Sequence, residues 1–180
     1  SYKVVPEGGS AANYRFIEYL PGTVTVLPQG KAPVPAAAEG LVYTGKEQVG
    51  VPESTAYTSV GTSKATAAGD YHMTVTLKDG FEWADGSTEK VRSFDWSIAK
   101  APLTALYHGE TFATGETPEY KVEVSGFVNG ETSETAAGYV APTVKLPDGY
   151  TPGRRYYLTP SDGAADNYSF IYKEPTTFTA

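Results

Sequence analysis

From Tyr71 to Leu77 apolar and polar residues alternate, with Tyr71, Met73, Val75 and Leu77 on one side and His72, Thr74 and Thr76 on the other. A period of two puts the first set on one face of a strand and the second on the opposite face. Phe94, Trp96 and Ile98 repeat the pattern against Ser93, Asp95 and Ser97. Between the two runs, Asp79-Gly80 and Asp85-Gly86 bracket Phe81 and Trp83, as expected where a chain reverses through positive φ. Further along, the pattern predicts strands at Leu103 to Tyr107, Glu119 to Val124, Arg155 to Thr159, Tyr168 to Tyr172 and Thr176 to Thr179. Asn129-Gly130, Asp148-Gly149 and Asp162-Gly163 punctuate them. Nowhere is a helical stripe sustained, because Pro and Gly interrupt each attempt to draw one. The expectation is an all-β chain built from sandwich modules with aromatic cores.

The tripeptide Lys-Ala-Pro follows strand-like segments twice, at Lys31-Ala32-Pro33 and Lys100-Ala101-Pro102. Each Pro fixes φ and removes a donor, which marks the pair as module joints and stiffens them. An ungapped self-match adds a third boundary: Tyr2 to Val26 recurs as Tyr156 to Ala180, identical at eleven of 25 positions. Such self-similarity is the signature of an array of modules. The expected division is the closing strands of one module at 1–31, a module at 32–100, and a second copy of the first kind at 101–180.

Composition narrows the class. The chain has 180 residues, no Cys, 19 Gly, 13 Pro and 14 Tyr. Disulfides, thiolate metal sites and a Cys nucleophile are therefore excluded. Its net charge of -7, with Arg154-Arg155 as the only adjacent basic pair, argues against a nucleic-acid partner. No apolar run approaches the ~20 residues that cross a bilayer as a helix, so no membrane insertion is expected in this segment.

Several stretches carry a family resemblance. Ala101-Pro-Leu-Thr-Ala105, Gly115-Glu-Thr-Pro118, Val124-Ser-Gly-Phe-Val-Asn-Gly-Glu-Thr132 and Asn167-Tyr-Ser-Phe-Ile171 resemble the MBG/YDG-type repeats of large bacterial surface proteins. Asn13-Tyr-Arg-Phe-Ile17 and Pro21-Gly-Thr-Val-Thr-Val26 are similar to the same family's closing hairpin. One departure is Thr114-Gly115, where the family usually has Tyr-Gly. The middle module, with Tyr43-Thr-Gly45, Gln48, Ala68-Gly-Asp-Tyr71 and Trp96-Ser-Ile-Ala-Lys100, is similar to another Ig-like repeat of Gram-positive surface proteins. These resemblances imply tandem immunoglobulin-like β-sandwiches without disulfides, in adhesins and surface stalks, with no catalytic residue set to carry over.

The residues themselves offer little chemistry. His72 and His108, the only histidines, lack a nucleophile signature such as G-x-S-x-G, and are read as exposed structural residues. Asp79, Asp85, Asp148 and Asp162 each precede Gly, so turn formation accounts for them. Ser161-Asp-Gly-Ala-Ala-Asp-Asn167 presents hard oxygen donors, yet it departs from the calcium-loop pattern and its counterpart Glu7 to Asn13 lacks both Asp residues. No metal or cofactor is expected. Leu20-Pro-Gly-Thr-Val24 is read as a hairpin rather than a sortase motif, and Asn167-Tyr-Ser169 as a sequon without a use. An internal Lys–Asn amide would need Asn13, Asn129 or Asn167, which are placed in a turn or at strand starts. Arg154, Arg155, Tyr156 and Tyr157 form the best ligand-facing cluster, although adjacent strand residues point to opposite faces.

The function expected from all this is a non-enzymatic repeat segment of a secreted bacterial surface protein, acting as a stalk or adhesion module that presents a binding region. Two rivals are a module that binds carbohydrate or host protein, and an accessory region of a secreted enzyme. Neighbouring repeats are the expected partners, with host glycan or matrix protein as further ones. Residues 1–31 are expected to pack on the middle module or exchange strands with another copy, because an isolated hairpin is marginal in water.

Overall fold

A computed structural model of the chain describes residues 2–9, 12–13, 18, 20–24, 30–109, 119–151 and 153–174. The expected strand at Thr176 to Thr179 and the segments Tyr14 to Ile17 and Gly115 to Pro118 lie outside these residues. The described residues form strands and turns without a helix, so the chain is all-β. The strands are β1 (Tyr2–Val4), β2 (Gly22–Val24), β3 (Gly30–Ala32), β4 (Leu41–Val42), β5 (Gln48–Val49), β6 (Tyr57–Gly61), β7 (Lys64–Ala65), β8 (Gly69–Leu77), β9 (Phe81–Trp83), β10 (Val91–Ala99), β11 (Ala101–Tyr107), β12 (Val122–Ser125) and β13 (Tyr168–Lys173).

The two alternating runs become β8 and β10, the longest strands, paired antiparallel with Phe94 opposite Met73 and Trp96 opposite Tyr71. They form the centre of a four-stranded sheet in the order β4-β10-β8-β6, with β4 parallel to β10. Met73, Val75, Leu77, Trp96 and Ile98 are buried on its inner face, where Ala32, Tyr43, Val51, Ala56, Tyr57 and Trp83 join them. Trp83 is completely enclosed, and its indole N–H donates to the Glu89 carbonyl at 2.6 Å. Arg92 lies over the same ring, 5.0 Å from its centroid, while its guanidinium holds Asp85 at 2.6 Å. The Asp85 carboxylate also accepts from the Ser87 amide, and these bonds hold its pKa below the usual carboxylate value. The Asp-Gly turns form as expected, with Gly80 and Gly86 at positive φ.

Beyond Lys100 a three-stranded sheet takes the order β12-β11-β13, with β11 central. β13 runs parallel to β11 from Ala101↔Tyr168 to Leu106↔Lys173, and β12 pairs only with Thr104 to Tyr107. Pro102 is tolerated in the central strand because β12 stops short of it. The Lys-Ala-Pro tripeptides match in exposure: both Ala residues are buried, and both Lys and both Pro point out. Each stretch also joins a parallel neighbour, β3 with β9 and β11 with β13.

One expectation is corrected. Arg155 to Thr159 forms no strand: Tyr156 and Leu158 turn inward and Tyr157 outward, but no neighbour among the described residues supplies a hydrogen-bond ladder. In Asp162-Gly163 the positive φ, 62°, belongs to Asp162. Gly163 is small for another reason, since a Cβ there would meet the Phe170 ring at 3.1 Å.

Candidate functional site at the joint between the two sheets

Lys100 is the only residue between β10 and β11, so one extended stretch leaves the first sheet and enters the second. A one-residue connection leaves little freedom unless the flanking surfaces stay apart, and here they do not. The main core cluster runs without a break from Ala32, Tyr43 and Ile98 to Ala101, Leu103, Ala136, Ala165 and Tyr168.

At the centre is the Glu131 carboxylate, which accepts one hydrogen bond from each half. Tyr43 donates to its Oε1 at 2.5 Å and Tyr168 to its Oε2 at 2.6 Å. The two tyrosine rings meet edge to face with centroids 5.4 Å apart. Tyr168 continues into an aromatic chain through Phe127, Tyr139, Phe170 and Tyr172. Its hydroxyl also accepts from the Val128 amide. The hydrogen bond to Glu131, with burial and the carboxylate's charge behind it, pushes the Tyr43 hydroxyl up to about 12. For Tyr168 burial is the larger cause of an upward shift, followed by Glu131.

Backbone contacts frame this centre. Asn129, at φ 54°, donates from Nδ2 to the Gly45 carbonyl at 3.0 Å. Asn167 accepts at Oδ1 from the Ala68 amide at 2.9 Å, and its carbonyl accepts from Ala101. Lys100 reaches the Ala165 carbonyl at 2.9 Å. Gly45, at φ +71°, has no room for a side chain: a Cβ would lie 2.5 Å from that of Asn129. Two of the three asparagines weighed for an amide cross-link, Asn129 and Asn167, thus bind backbone across the joint.

These contacts explain motifs whose purpose the sequence left open. In Tyr43-Thr-Gly45-x-x-Gln48, Tyr43 and Gly45 face the following sheet, while Gln48 ties the segment together by donating to the Val42 carbonyl. Ala68 supplies an amide to Asn167, and Trp96 and Ile98 lead into Lys100. From the other side come Asn129, Glu131, Asn167 and Tyr168. Reading Asn129-Gly130 only as a turn missed Glu131, whose polar neighbours Asn129, Gly130, Thr132 and Ser133 give no local sign that its carboxylate reaches the joint.

The other sequence candidates lie apart. Arg154 and Arg155 are exposed, Tyr157 is 68% exposed, and Tyr156 packs inward against Tyr107, Val144 and Leu158. The Tyr156 hydroxyl accepts from the Thr151 amide at 2.9 Å. His108 pairs with Glu123 at 2.6 Å. On the outer face of the four-stranded sheet, His72 contacts Asp95 at 2.6 Å and Thr74 at 3.1 Å, and Thr74 contacts Ser93. That chain has the connectivity of a hydroxyl–imidazole–carboxylate triad. Its setting is that of a cross-strand polar ladder: the Asp95 side chain is 89% exposed and the neighbouring amides belong to β8 and β10, so no enclosed oxyanion site adjoins it. Among the described residues, no three His, Asp or Glu groups gather where a metal could sit.

No curated protein and no solved structure matches the chain. A family model does match: that of the MBG domain (YGX type), over residues 103–179. The match spans Thr114-Gly115, so the departure from Tyr-Gly does not remove the segment from the family. The half of the joint carrying Asn129, Glu131, Asn167 and Tyr168 is therefore similar to an MBG domain, and this similarity suggests a repeat module of a bacterial surface protein.

Proposed function

We propose that this chain is a length of stalk in a secreted bacterial surface protein, holding a binding region away from the cell. The observation that supports this most is the joint: a single residue between sheets, flanked by a shared core and by a carboxylate that ties a tyrosine from each half. A spacer must resist bending, and a joint clamped in this way resists it better than a polar linker would. The functional partners of each module are then its neighbours in the array. Exposed side chains serve solubility, with net charge -7 opposing association between stalks.

The test is made on intact producing cells. Brief protease treatment without lysis should release peptides from residues 32–174, and antibodies to residues 119–174 should label unpermeabilised cells. Peptides and labelling that appear only after lysis would overturn the surface assignment.

A further inference from the structure

Tension along a stalk reaches each sheet through its first and last strands, and the two halves of this chain meet it differently. In the second half these strands are β11 and β13, which lie side by side and parallel over a six-residue register. Pulling drags β11 by its Ala101 end and β13 by its Lys173 end, in opposite directions. The interstrand hydrogen bonds lie across that pull, so they are loaded together and must fail together. In the first half the load enters through β3, which holds β9 over three residues, and then meets β4, which holds the end of β10 over two. Those short ladders come under load in succession, and neither is long.

Tyr43 directly follows β4. Its amide donates to the Ala99 carbonyl at 2.9 Å, which extends the weak ladder by one bond, and its hydroxyl is held by Glu131 of the following module. We infer that the MBG-type module braces the mechanically weaker module before it, with Glu131 and Tyr168 clamping Tyr43 at the end of the load-bearing β4–β10 pair. The coupling has a direction: the brace strengthens the first half and leaves the β11–β13 clamp untouched. This deepens the stalk reading and rests on it.

Single-molecule pulling of the whole chain, tethered at its ends, tests the inference. A ten-residue Gly-Ser insertion at the exposed Asp148-Gly149 turn marks the second half, because its unfolding step lengthens by roughly 33–36 Å at the extended-chain rise per residue. The unmarked step should come first and at lower force, and the lengthened step second. Tyr43→Phe should lower the force of the first step and leave the second unchanged. Tyr172→Phe, which removes a hydroxyl bonded only within the second half at Gly163, should affect the second step alone. If the lengthened step came first, or if Tyr43→Phe left the first step's force unchanged, the brace would be overturned. The surface labelling above does not depend on either result.

Discussion

Single residues at the joint are constrained by approach distance and by charge. Gly45 and Gly40 have similar backbones, at φ +71° and +67°, but only Gly45 has another residue where a Cβ would go. Both Gly→Ala changes should cost about 1 kcal/mol of left-handed strain, and Gly45→Ala should cost a further ~1–3 kcal/mol from displacing Asn129. Urea denaturation of the two variants measures the difference, and equal losses would mean that the close approach is not maintained. Tyr43 supplies the charge argument. Its hydroxyl pKa is raised from the ordinary 10.0 to about 12, so its share of stability is complete below pH 10 and is lost as pH rises through 12. Tyr43→Phe should therefore be less stable than the parent by about 1.5–3 kcal/mol at pH 8, the range for a hydrogen bond to a charged group. That gap should close between pH 10 and 12, and a gap independent of pH would show that the hydroxyl is not held by Glu131. Tyr57, Tyr139 and Tyr168 are also shifted upward and will steepen the alkaline loss in both proteins.

At the level of elements, the strands that could be read from the sequence are those whose side chains alternate between core and water. β8 shows that alternation over the seven residues from Tyr71 to Leu77, β10 over its nine, and β11 and β13 over most of their length, so pattern alone locates them. β4, β5 and β7 are two residues long, too short for any period, and exist because neighbouring strands hold them. Arg155 to Thr159 fails in the opposite sense: its alternation persists in burial without producing a ladder. The joint was legible only as punctuation. Lys-Ala-Pro shows where β10 hands over to β11, but Tyr43, Gly45 and Glu131 come together from positions 88 residues apart in the case of the tyrosine and the carboxylate. No local period encodes such a contact. The handover itself makes a prediction: inserting Gly-Ser-Gly-Ser after Lys100 would break the continuity of β10 and β11 and let the halves reorient. Small-angle scattering should then show a broader distribution of interatomic distances than the parent gives. An unchanged distribution would mean that the side-chain clamp alone fixes the orientation.

For the whole molecule, the shared core bears on how the chain unfolds. Each half on its own has roughly seventy residues, a size at which a single core is a marginal source of stability. Separating the halves would bring Tyr43, Ala101, Ala136, Ala165 and Tyr168 toward water and leave the Glu131 carboxylate without its hydroxyl donors. Opening one half while the other stays folded is therefore costly, which favours one cooperative thermal transition over residues 30–174. Both tryptophans, Trp83 and Trp96, lie in the first half, so tryptophan fluorescence reports that half alone. Amide exchange along β11 and β13 reports the other, and in the parent chain the two probes should give the same unfolding free energy. Combining Tyr43→Phe with Gly45→Ala removes the central hydrogen bond and the close approach while keeping the aromatic ring of position 43 in the core. In that variant the fluorescence transition should move to lower denaturant while exchange in β11 and β13 follows a separate, more stable unit. If the probes still coincided there, the halves would be coupled through the β10–β11 backbone rather than through the clamp around Glu131.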